Sequence, residues 1–140
     1  MIMSKETILS LLLSVPIGII SGLYAGVIVA RYQRFADLRL QAKKIILEID
    51  FIWEDTKMVF PRRKEIPEFS TISSDLFFLG HKSAGTKVLE VCQDIQRSIM
   101  EASAGRVNSE SFNQKYISWQ REIRSLSPEM LPILRIWGGL

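Results

Sequence analysis

The chain has 140 residues, 47% of them hydrophobic and 24% charged, which fits one folded domain and excludes a disordered or fibrous protein. Its 18 basic residues against 15 acidic ones leave a formal charge of +3, too slight to mark a binder of double-stranded nucleic acid. A lone cysteine, Cys92, and a lone histidine, His81, exclude an intrachain disulfide and a four-ligand Cys/His zinc site, so neither metal nor cofactor is expected.

The first predicted element is Thr7–Ala30, a run of 24 residues without a charge. As a helix it measures about 36 Å, enough to cross a hydrocarbon core of about 30 Å. A signal peptide would have a basic start, a shorter apolar stretch and a small-residue cleavage site. Here Lys5 stands beside Glu6, and the run continues unbroken into Arg31 and Arg34. Residues 1–30 therefore read as an N-terminal transmembrane segment and residues 31–140 as the one folded domain, helical and cytosolic. The flank after the span holds Arg31, Arg34, Arg39, Lys43 and Lys44 against Asp37. The positive-inside rule then puts the N-terminus outside and the C-terminal domain in the cytoplasm. Within the span, small residues recur at Ser10, Ser14, Gly18, Gly22, Gly26 and Ala30. Such a stripe lets helix backbones approach closely in lipid and predicts right-handed self-association into a homo-oligomer. Pro16 is expected to kink the helix in its outer third.

From Arg31 to Phe60 the helical pattern continues. Phe35, Leu38, Ala42, Ile45, Ile49, Ile52, Thr56 and Val59 fall three and four apart, which predicts a single rod from Thr7 to Phe60. Pro61 ends it, and PRRKEIPEFSTISS reads as a loop up to a helix starting near Ser74. Gly80 and Gly85 bracket the sequence HKSA. A helix over Ser83–Ala104 follows, with Val88, Val91, Cys92, Ile95 and Ile99 on its core face and Gly105 as its C-cap. Another begins at Asn108 or Ser109 and carries Phe112, Tyr116, Trp119, Ile123 and Leu126 inward. Ser127-Pro128-Glu129 opens a short apolar helix that Gly138 and Gly139 stop. Trp53, Trp119 and Trp137 are expected in the core. With no hairpin signal, the fold class is all-α, one N-terminal transmembrane helix continuing into a small cytosolic helical bundle.

No residue set supports catalysis: no serine lies in a nucleophile elbow, and acidic residues fall at the spacing of solvated helix faces. The segment GHKSAGTK, Gly80–Lys87, combines two glycines, a helix start and basic side chains, which are the parts of an anion site. It lacks the residue order and the preceding strand of a phosphate loop. Arg62, Arg63 and Lys64 form a second basic cluster. The ligand-binding candidates are therefore Arg62, Arg63, Lys64, His81, Lys82, Ser83 and Lys87. The plainer reading makes Gly80–Lys87 a tight turn between helices and the basic cluster a solvated loop.

In the order and size of its parts, a span at Thr7–Ala30 and a basic helical domain at Arg31–Leu140, the chain resembles the membrane-bound ancillary effectors of type III CRISPR systems. The resemblance implies a bacterial inner-membrane protein in antiphage defence, whose cytosolic domain binds cyclic tetra-adenylate (cA4, a cyclic oligoadenylate) and whose membrane part acts on the bilayer. It carries over no residue roles. A ring of phosphates would fit a symmetric assembly such as a tetramer. The other reading is a membrane-anchored scaffold or assembly subunit that docks a protein partner through its helices.

Overall fold

In the computed structural model, residues 5–54, 57–61 and 66–136 are described. Helix α1 spans Lys5–Leu47. Its first half is lined on all sides by exposed apolar residues, with a best 18-residue window of mean hydropathy 2.1 and nothing in that window buried. It is long and apolar enough to cross a membrane. Without a break the same helix becomes a bundle element, burying Phe35, Leu38, Ala42, Ile45 and Ile46. Pro16 lies inside α1, which continues through it.

The expected rod stops short of Phe60. The helix ends at Leu47 and a hairpin takes the place of the rod's end: β1 (Ile52–Glu54) pairs antiparallel with β2 (Lys57–Val59), in the register Ile52↔Val59, Trp53↔Met58 and Glu54↔Lys57. The stretch Asp50–Phe60 is rich in aromatic and β-branched residues, which fit a pleated surface better than a helix. Its alternation shows in the burial of Met58 and Phe60 around an exposed Val59. Trp53, expected in the core, is 44% exposed on the hairpin, and Ile52 is exposed too. Phe51 and Phe60 instead pack on Phe112, with ring centroids 5.1 and 5.5 Å away.

The expected loop before Ser74 is also largely helical, since α2 spans Ile66–Phe78. Pro67 sits in its first turn, where a missing N–H costs nothing. Phe69, Ile72, Ser73 and Leu76 form its buried stripe. Two of the four hydroxyls that suggest a loop are bonded to the backbone, Ser73 Oγ donating to the Gly85 carbonyl at 2.8 Å and Ser74 Oγ to that of Ser70 at 3.1 Å.

The next two helices follow the sequence pattern closely, whereas the last helix is shorter than expected, starting after Pro128 with Glu129 as its N-cap and ending at Leu134, before Gly138. Helix α3 spans Lys82–Ser103 and buries Val88, Val91, Cys92, Ile95 and Ile99. Gly105 follows it at φ +70, with the Gly105 and Arg106 amides turned back to the Ala102 and Glu101 carbonyls, a Schellman ending. Helix α4 spans Ser109–Arg124; its N-cap Asn108 accepts from the Ser111 amide at 2.8 Å. Trp119 is buried, and its Nε1 donates to Asp94 at 2.7 Å. Helix α5 is the short Met130–Leu134, and Trp137 lies outside the described residues. Of the described residues 78% are helical and 5% in strands, so the fold is all-α with a hairpin appended.

Candidate functional site

The α2–α3 corner is built around Gly80. Helix α2 ends in a second Schellman motif, with the Gly80 amide donating to the Phe77 carbonyl and the His81 amide to that of Leu76. The motif requires a left-handed residue, and Gly80 has φ +87. That turn directs His81 inward. Its ring is 2% exposed and meets the Phe35 ring edge-on at 4.8 Å.

What His81 and the start of α3 bind is another part of this chain. His81 Nδ1 accepts the Glu129 backbone N–H at 3.1 Å. The Glu129 carboxylate returns to accept the Ser83 amide at 2.7 Å. Helix N-termini carry unpaired N–H groups and a partial positive charge, so a carboxylate is well placed there. Pro132 closes the contact: a Cβ added at Gly80 would lie 3.1 Å from its Cγ. Together Gly80, His81 and Ser83 form a latch that clasps the segment leading into α5.

Helix α1 holds the other side of that segment. Arg39 donates to the Leu126 carbonyl at 3.2 Å. Arg31 donates to the carbonyls of Pro132 at 3.2 Å and Ile133 at 3.3 Å, and also to that of Arg135. The Tyr24 hydroxyl donates to the Leu134 carbonyl at 2.8 Å. Steps of eight and seven residues keep these three side chains near one face of α1. The chain after α4 therefore descends along α1 toward the apolar half. A helix as short as α5 leaves its last carbonyls without internal partners, and Arg31 and Tyr24 satisfy several of them.

Among the described residues, His81, Lys82, Ser83 and Lys87 do not converge on one anion pocket within a single chain. Burial pushes the His81 pKa below its ordinary 6.5, with the Glu129 carboxylate opposing more weakly, so the ring sits neutral and supplies no cation at neutral pH. Lys82 and Lys87 are exposed and five residues apart on α3, about 140° around the helix. The Ser83 amide is taken by Glu129, and Gly85 lies buried inside α3 against the Phe77 ring. Arg62, Arg63 and Lys64 lie outside the described residues. A groove of ≈ 600 Å³ runs elsewhere, along α3 near Gln96, Arg97, Met100 and Arg106. Among the described residues no three His, Cys, Asp or Glu side chains gather as metal ligands. The Cys92 thiol is buried in the core, and burial pushes its pKa up.

On the apolar half of α1, Ser14 gives its hydroxyl to the Leu11 carbonyl, Ala30 is exposed, and a Cβ added at Gly18, Gly22 or Gly26 would meet nothing within 4 Å. The small-residue stripe is thus open. Tyr24, Arg31, Arg39 and Glu129 were not singled out from the sequence as site residues. The sequence marks Arg31 and Arg39 as topology charges and Glu129 as a helix start, because partners 46 to 110 positions away leave no trace in local spacing. No family model, curated protein or solved structure matches the chain, so its likeness in layout to the CRISPR effectors has no relative behind it.

Proposed function

We propose that the protein is a membrane-anchored scaffold or assembly subunit, with a single span that holds a small cytosolic bundle at a fixed height and orientation and presents it to a protein partner. The observation that supports this reading is the continuity of α1, one helix supplying both the unburied apolar segment and the bundle residues Phe35–Ile46. The contacts of Tyr24, Arg31 and Arg39 bind the far end of the chain to the same helix and restrict swinging about it. The basic flank after Ala30 favours a cytoplasmic bundle, in a bacterial cell at the inner membrane. The open glycine stripe is a surface on which copies of the span could pair.

The ligand-gated effector asks for convergent cations, and Glu129 already occupies the helix end on which its described part would be built. The test uses full-length protein in lipid nanodiscs, titrated with cyclic tetra-adenylate while its melting is followed. In parallel, a photo-crosslinking residue at Gln96 or Met100 is activated in cells. The scaffold reading expects no shift in melting and a discrete adduct with one identified membrane-fraction protein. Ligand at a hundredfold excess over its Kd would stabilise by about 2.7 kcal/mol. A shift of that size, abolished by Lys82→Ala or Lys87→Ala, would replace the scaffold with the effector.

A further inference from the structure

We propose that the base of the bundle makes a second membrane contact: an apolar rim, formed by α5 and the α2–α3 corner, that seats in the headgroup–acyl boundary beside the span. This rests on the reading of α1 as a membrane span. Helix α5 buries only Ile133 against the bundle. Around it Leu131 is 85% exposed and Ile136 73%, and Met130 and Leu134 are exposed as well. Phe78, two residues before the Gly80 that packs on Pro132, is 85% exposed. Large apolar side chains grouped in this way mark a contact surface rather than one that faces water.

The height of the group identifies its occupant. A hydrocarbon core of about 30 Å takes up about 20 helical residues, which, centred on the uncharged run Thr7–Ala30, end near Ile28. Tyr24 lies about one turn inside that end, and tyrosine is a residue of membrane interfaces. Its hydroxyl holds the Leu134 carbonyl, while Arg31, about 10 Å further along α1, holds those of Pro132 and Ile133. Helix α5 therefore occupies the layer where the span leaves the hydrocarbon, a level that a water-soluble partner cannot reach without entering lipid. Exposed Arg34, Lys82 and Arg135 border the same region, suited to anionic headgroups, while the Glu129 carboxylate is turned inward to Ser83.

The test places a bimane on single introduced cysteines in the full-length protein: Leu131→Cys, Phe78→Cys, Leu12→Cys in the span, and Met100→Cys, whose 73% exposure matches that of Ile136. Native Cys92 is buried, so labelling is confined to the new thiol. The protein is reconstituted in phosphatidylcholine vesicles containing phosphatidylglycerol and nitroxide lipids, with the nitroxide near the headgroup or deep in the acyl chain. The proposal expects Leu131 and Phe78 to lose most of their emission to the shallow nitroxide, Leu12 to the deep one, and Met100 to keep its emission. Quenching at Leu12 with Leu131 and Phe78 as bright as Met100 would overturn the rim and leave the span intact. Leu12 unquenched by either lipid would overturn the span and the rim with it.

Discussion

Gly80→Ala separates the two jobs that Gly80 performs. The first is conformational: at φ +87 a Cβ costs about 1–2 kcal/mol, offset by about 0.4–1 kcal/mol from the stiffer unfolded chain. The second is contact, since the new methyl would sit 3.1 and 3.2 Å from Cγ and Cβ of the Pro132 ring, close enough to force a shift costing about 1 kcal/mol. Global unfolding relieves both, so overall stability should fall by about 2 kcal/mol. Opening of the α5 segment alone relieves only the contact, so its opening equilibrium should rise by about fivefold. Hydrogen exchange reads this directly, because the Ser83 and Glu129 amides are the latch's own donors. Both should exchange about fivefold faster in Gly80→Ala, whereas Gly105→Ala, at φ +70 in the other Schellman turn, should destabilise without touching them. In a Pro132→Ala background the Gly80→Ala effect on these amides should largely vanish. Unchanged exchange at Ser83 and Glu129 in Gly80→Ala would refute the latch geometry.

The buried, neutral His81 should make stability pH-dependent. Its folded pKa lies below the unfolded 6.5, so the contribution is complete above 6.5 and is lost as pH falls through the lowered folded value, and His81→Asn should flatten melting curves collected between neutral pH and about pH 5. On the apolar half of α1 a Cβ at Gly22 or Gly26 meets nothing of its own chain within 4 Å, so a smaller oligomer for Gly22→Leu and Gly26→Leu by crosslinking or light scattering would report contacts between chains. Ile20→Leu and Val27→Leu should leave the size alone, and equal effects at both pairs would reduce the stripe to composition. Full-length protein should stay with membranes through a carbonate wash, given the unburied apolar half of α1, and its release would refute the span.

The helices that were legible in the sequence are those whose stripes and punctuation agree. Val88–Ile99 and Phe112–Ile123 repeat at three and four residues and end at Gly105 or begin at Asn108, so local physics and packing give one answer. The hairpin was missed because Ile52 and Val59 extend the seam of α1 arithmetically, while the competing alternation of Met58 and Phe60 is only two residues deep. Helix α2 was missed because Pro67 and four serines and threonines resemble a loop until their position in the first turn and their backbone bonds are known. The ingredients of the corner were legible but their partner was not. Two glycines and a helix start do attract an anion, and nothing local to Gly80–Lys87 says that the anion is Glu129.

That internal carboxylate changes what the corner can do. Any external anion reaching the Ser83 amide must displace a group already tethered beside it, and tethered groups act at effective concentrations of the millimolar order or above. Glu129 also cannot leave alone. Its backbone N–H is held by His81, and the segment that follows is held by Arg31 and Tyr24, so displacement draws on contacts spread over about 10 Å of α1. A second helix-end anion site would be a weak receptor under that competition, yet the same arrangement makes a strong brace. Both ends of the C-terminal segment are fixed to α1, Leu126 by Arg39 and Leu134 by Tyr24, so its placement follows from hydrogen bonds to carbonyls and not from Met130, Leu131 and Leu134 of α5, whose side chains stay exposed.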